Sequence, residues 1–298
     1  MNVNSRARSA SQAANVRRAR SASKGAWHAP LLLAVGLCLA SVGCHLPEAK
    51  LVTPPAKHSI RADELLVQSD FKLPKDHPLI GDLVALRNRI ITELQLPTPS
   101  EQVVVYLFET EAEYLEYLDA SYPGLPRRRA YFVGTPRELA VYTYWGERIQ
   151  EDLRHEYTHG ILHACLKSVP LWLDEGLAEY FEVASPDPAP LNREHADELA
   201  VALGSGWRPD MRRLEQIEKF EQMQRIDYQE AWAWVHFLLH GTPDTRATLL
   251  SFLDDLRSHS KPPALSGRLD ETQPQTAERF LAYLATIETR RLTEAAVR

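Results

Sequence analysis

Two kinds of hydrophobic pattern alternate along the chain. Leu79, Leu83, Leu86, Ile90 and Leu94 recur at helical spacing, so one face of a helix is expected there. Val103 to Phe108 is an unbroken apolar run of strand length, and Glu111 to Leu118 suits a short helix. Tyr131–Val133 and Leu139–Tyr144 are strand-like runs separated by a stretch containing Gly134, Thr135 and Pro136, which predicts a hairpin. After Trp145 the pattern turns helical. Ile149, Leu153, Tyr157, Ile161 and Cys165 form one stripe, Pro170 breaks it, and a second helix starts near Trp172. Further helices are expected at 192–203, 211–224, 228–240, 245–257 and 273–290. A small sheet followed mainly by helices predicts an α+β domain, with a cleft where the two parts meet.

Composition narrows the class. Of 298 residues, 44% are hydrophobic and 25% charged, as in ordinary globular proteins. The net charge of −6 argues against a nucleic-acid partner. Three cysteines are too few for a disulfide scaffold, and Cys165 is expected to act as a small buried hydrophobe. The charge is unevenly spread. The first 47 residues hold no acid, six basic residues and the apolar run Leu31 to Val42. This is the layout of an export signal. Its end, Ser41-Val42-Gly43-Cys44, resembles a bacterial lipoprotein signal, although Ser41 stands where Leu is usual. The resemblance implies a signal over 1–43, lipidation at Cys44 and a lipid anchor in the cell envelope. An ordinary cleaved signal and an uncleaved anchor are the alternatives. Residues 44–57, Pro-rich and without periodicity, read as a tether, leaving 58–298 as the folded domain.

The candidate chemistry lies on the stripe helix, at His155-Glu156-Tyr157-Thr158-His159. Residues four apart on a helix sit about 40° apart around the axis and about 6 Å along it. Both imidazoles therefore converge on one metal ion, with Glu156 in reach of a water on it. The chain's composition gives about 0.03 chance matches to this HExxH pattern. Zinc needs a third protein ligand and a position left for water. A histidine six residues past His159 would supply one, but Cys165 stands there. His163, one turn on along the same straight helix, cannot wrap a tetrahedral ion and is read as cleft wall or surface.

After Pro170 comes Leu171-Trp172-Leu173-Asp174-Glu175-Gly176-Leu177-Ala178-Glu179. HExxH followed by Trp-Leu-x-Glu-Gly-x-Ala resembles the gluzincin branch of the MA-clan zinc metallopeptidases. The resemblance covers about residues 100–245. It implies a zincin-like fold, one Zn²⁺ held by His155, His159 and Glu175, and Glu156 as general base. It further implies Glu179 as the carboxylate behind a ligating histidine, and Tyr228 as the hydroxyl that meets the oxyanion. A sheet edge at Leu139–Tyr144 would hold an extended peptide. Asp227 is expected to cap the Tyr228 helix, with Glu230 reaching back. Asp152 and Glu182 are read as solvated charges, and Arg127–Arg129 as a solvated basic loop, the alternative being a contact with a substrate carboxylate. The expected activity is peptide-bond hydrolysis on a peptide or protein substrate. The alternatives are an inactive envelope-anchored peptide-binding protein that keeps a zinc site, and a zinc amidase acting on cell-wall fragments.

Overall fold

The computed structural model describes residues 52–99, 101–259 and 263–296. The expected signal and Cys44 lie outside them. The described residues form one compact unit. It is α+β, with a mixed five-stranded sheet and a mostly helical remainder.

Strands β1 (His58–Ala62) and β2 (Leu65–Ser69) form an antiparallel hairpin that the hydrophobic pattern did not predict. Only Ile60 of β1 is buried, and the two-residue turn uses Asp63 at φ 49° where no glycine or asparagine marks it. Helix α1 (Pro78–Glu93) then crosses to β3 (Val103–Phe108), which pairs in parallel with β2. Helix α2 (Glu111–Ser121) leads to the hairpin of β4 (Ala130–Thr135) and β5 (Glu138–Tyr144). The sheet order is β1-β2-β3-β5-β4.

The unbroken apolar run of β3 follows from its central place. Val103, Val105 and Leu107 face the main core, while Phe108 faces an aromatic cluster with Tyr114, Tyr117 and Tyr142 under α2. Both faces are covered, so the strand need not alternate. The order also corrects one expectation. Strand β5 lies between β3 and β4, so Leu139–Tyr144 is an inner strand and β4 is the edge.

Helix α3 (Ile149–Cys165) packs on the sheet, and α4 (Leu171–Phe181) begins directly after Pro170. Helices α5 (Arg193–Gly204), α7 (Arg225–His240), α8 (Pro243–Ser258) and α10 (Thr276–Ala296) fall near the predicted stretches. The expected helix at 211–224 is instead a short α6 (Met211–Glu215) and a single 3₁₀ turn. Met211, Leu214, Ile217 and Phe220 keep helical spacing, yet only the first two are buried and Phe220 is 49% exposed. A further helix, α9 (Leu265–Thr272), buries only Leu265 and Leu269 and left too short a pattern to read. No described helix is long and apolar enough to cross a membrane.

Two glycines set the spacing around the site. A Cβ on Gly160 of α3 would come within 2.6 Å of Val103 on β3, and one on Gly176 of α4 within 2.6 Å of the Ala231 carbonyl oxygen on α7. Each lets a helix carrying site residues approach its neighbour backbone-close.

Candidate metal centre

Helix α3 presents His155 and His159 toward α4, which answers with Glu175. The two Nε2 atoms are 3.3 Å apart. Glu175 places its oxygens 3.6 Å from His155 Nε2 and 3.9 Å from His159 Nε2. Donor atoms bound at about 2.0–2.1 Å in tetrahedral geometry lie about 3.3–3.5 Å from one another. The three side chains therefore match a metal cage in donor type and spacing, and these residues could hold an ion.

Carboxylates lie behind the ring nitrogens of both imidazoles. His155 Nδ1–H donates to Glu182 Oε2 at 3.0 Å, and Glu182 Oε1 accepts from Asn192 Nδ2 at 3.0 Å. His159 Nδ1 lies 3.1 Å from Asp174 Oδ1, whose other oxygen meets His163 Nε2 at 3.0 Å. The Glu182 bond fixes the His155 tautomer and leaves its Nε2 free for a metal, whereas His159 Nδ1 and Asp174 Oδ1 are close without forming a hydrogen bond. Glu182 is thus no solvated charge. Glu179, expected behind His155, instead meets His195 Nε2 at 2.8 Å. Glu179 and Glu182 also group with His155 as candidate metal ligands, but their hydrogen bonds to His195 and His155 already engage them. His163 is a cleft-wall residue whose ring packs 5.2 Å from that of Phe132.

Electrostatics agree with a cation site. Burial works to lower His159, but the charge of Asp174, with that of Glu175, outweighs it and pushes the ring up to about 9. Burial likewise opposes charge on His155, yet Glu175 and Glu182 hold it well above its ordinary value. Burial would raise Asp174, while His159 and His163 pull it far below the carboxylate range. Burial would also raise Glu179, but the His195 hydrogen bond and the His155 charge hold it down to about 2. Burial raises Glu182 despite the His155 bond, and the charge of Glu179 adds to the rise. Protons on the two histidines balance this surplus of carboxylates, a role that a divalent ion could take over.

Arg154 sets the angle of the two helices. Its guanidinium donates to the carbonyls of Phe181 at 2.8 Å and Glu182 at 2.9 Å, and pairs with Asp82 at 2.8 Å. It satisfies carbonyls at the C-terminal end of α4 and so fastens α3 to the segment carrying Glu182.

Glu156 is turned to the cleft and accepts from the Phe132 N–H of β4 at 2.6 Å. Because Phe132 spends its N–H there, its main-chain groups point away from β5. With period two, those of Ala130 and Gly134 also face off the sheet. Tyr228 lines the same cleft. Its helix starts earlier than expected, at Arg225, and Asp227 accepts from the Gln224 N–H at 2.8 Å instead of being the cap. Glu230 turns the other way, into a pairing with Arg213 at 2.9 Å. Burial and the charge of Glu175 raise the Tyr228 hydroxyl, partly offset by Arg128. Asp152 is taken up by a bidentate pairing with Arg129. Cys165 is a half-buried free thiol against the Pro97 carbonyl, pushed up to about 11 by burial.

Three of the residues that complete the site were missed from sequence, and two of them carried a signal. Glu182 follows Glu175 by seven residues, which returns it to the same helix face, and Asp174 is adjacent to Glu175. Arg154 carried none. Compared with known protein families and with curated proteins, the sequence matches none.

Proposed function

We propose that the chain is a zinc-dependent peptide-bond hydrolase of the gluzincin type, acting in the cell envelope. The observation that carries this reading is the triangle of His155, His159 and Glu175 at metal-ligand spacing, with Glu156 beside it. Zinc held there supplies a water acidic enough to ionise near neutral pH and a Lewis acid for the scissile carbonyl.

The chain's own residues do the rest. The edge of β4 takes an extended peptide through its outward main-chain groups other than the Phe132 N–H, which Glu156 holds. Glu156, held by the Phe132 N–H, accepts the proton of the attacking water and delivers it to the leaving amine. Tyr228 keeps its hydroxyl proton because burial and Glu175 disfavour the phenolate, so it donates to the oxyanion. Glu182 holds the His155 imidazole in register through its hydrogen bond, and the Asp174 charge lies beside His159.

The test is a metal assay of the purified full chain, joined to a peptide-library digest with and without chelator. One zinc per chain and chelator-sensitive cleavage are expected. Glu156→Gln should keep the metal and lose turnover. Cleavage that persists in Glu156→Gln, or that ignores the chelator, overturns the reading.

A further inference from the structure

The cleft has two unlike halves that meet at Arg128, His155, Glu156, Glu175 and Phe220. One half, about 1030 Å³, lies along the end of β4 and is walled by Phe132, Val133, Ile217, Phe252 and Leu256. The other, about 1540 Å³, opens at the start of β4 and is lined by charged side chains. Both are large enough for a side chain or more of a bound peptide.

Arg127, Arg128 and Arg129 enter β4 at the charged half. Their backbone is pinned: Tyr114 Oη donates to the Arg128 carbonyl at 3.0 Å, and Thr143 Oγ1 to the Arg129 carbonyl at 3.1 Å. The outer two guanidiniums already meet carboxylates, Arg127 that of Asp119 at 3.2 Å in an exposed pair and Arg129 that of Asp152 at 2.6 Å. Arg128 differs. It lies over the Tyr131 ring at 5.8 Å, beside the Tyr228 hydroxyl, and feels the charge of Glu175. Among the described residues it forms no ion pair. Glu175, the acid nearest in influence, is taken up once a metal binds. An exposed guanidinium on a pinned backbone, lying over an aromatic ring in a cleft and lacking a carboxylate, is suited to receive one from a ligand.

We propose that Arg128 is a specificity-determining residue: the site selects peptides that carry a carboxylate on the Arg128 side of the scissile bond and an apolar side chain on the Phe132 side. This rests on the hydrolase reading above and adds the substrate class. The carboxylate can come from an acidic side chain or from the peptide's C-terminus; Arg128 reads the shared group.

The experiment uses quenched fluorescent peptides on the zinc-loaded full chain. Each peptide holds an apolar residue on one side of the bond and Glu, Gln or Lys on the other, made both as free acid and as amide. The readout is the ratio of kcat/KM within one enzyme, so any general loss from disturbing Tyr228 cancels. Wild type should prefer the carboxylate at least tenfold, less so in high salt because Arg128 is exposed. Arg128→Gln should bring the ratio near one, Arg128→Lys should keep part of it, and Arg128→Glu should invert it toward Lys. Glu over Gln in amidated peptides assigns the side chain as the source. Free acid over amide assigns the terminus. If wild type cleaves peptides but the ratio is the same in Arg128→Glu, this inference falls alone. If wild type with zinc cleaves none of them, the hydrolase reading falls and takes this inference with it.

Discussion

Replacing Glu182 by alanine removes the acceptor of His155 Nδ1–H while leaving all three metal donors in place. In the native site that bond is 3.0 Å long, and the second Glu182 oxygen is held by Asn192. The carboxylate therefore has no freedom to serve elsewhere. Without it, the His155 ring can rotate or move its proton to Nε2, the atom that faces His159 and Glu175. Loss of such a partner weakens metal binding about 10–100-fold, or about 1.4–2.8 kcal/mol. Glu182→Gln keeps an acceptor oxygen but loses the charge, so its effect should stay under about tenfold. Glu179→Gln removes a partner of His195, not of His155, and should change zinc affinity by less than about threefold. Competition titration against a chromophoric chelator at fixed pH measures all three. Equal losses in Glu179→Gln and Glu182→Ala, or none in Glu182→Ala, would refute the assignment of Glu182 as the residue that aims His155.

Two further outcomes test the fold around the site. Gly176→Ala drives a methyl to 2.6 Å from the Ala231 carbonyl oxygen and 3.0 Å from Val235. It should cost about 1–3 kcal/mol and lower Tm by several degrees, read by thermal unfolding; an unchanged Tm would show that α4 and α7 separate freely. His236 is 2% exposed, and burial lowers it from 6.5 to about 3, with the nearby His240 adding to the fall. The unfolded chain takes up this proton below pH 6.5 and the folded chain does not, so the stabilisation is complete above 6.5 and is lost as pH falls toward 3. The loss is about 5 kcal/mol at the low end. Denaturant midpoints in His236→Gln, which can still meet the Tyr283 hydroxyl, should fall less steeply between pH 7 and 4 than in wild type. Parallel slopes would remove His236 from the account.

The site was more legible in the sequence than the scaffold. HExxH spacing brings His155 and His159 together because helix geometry is local, and Pro170 announces the break that lets α4 turn back with Glu175. The residues behind the ligands were harder. Glu175, Glu179 and Glu182 share one face of α4 by spacing alone, so nothing local says which acid faces His155. The choice is made by His195 on α5, which captures Glu179, and that is a contact across 16 residues. The identity of the edge strand was hidden for the same reason. Adjacency in sequence made Leu139–Tyr144 look exposed, while its parallel pairing with β3 depends on a crossover no periodicity records. The hairpin β1–β2 escaped because a five-residue strand with one buried side chain has almost no pattern, and Asp63 adopts a left-handed turn without the usual residue.

The clamp that Arg154 closes between α3 and the end of α4 has one more consequence. His155, His159 and Glu175 are brought together by contacts of the polypeptide itself. An ion taken up there would not have to organise the chain, in contrast to small domains that collapse only around their metal. Loss of such an ion should then leave the fold intact, and its return should need no refolding.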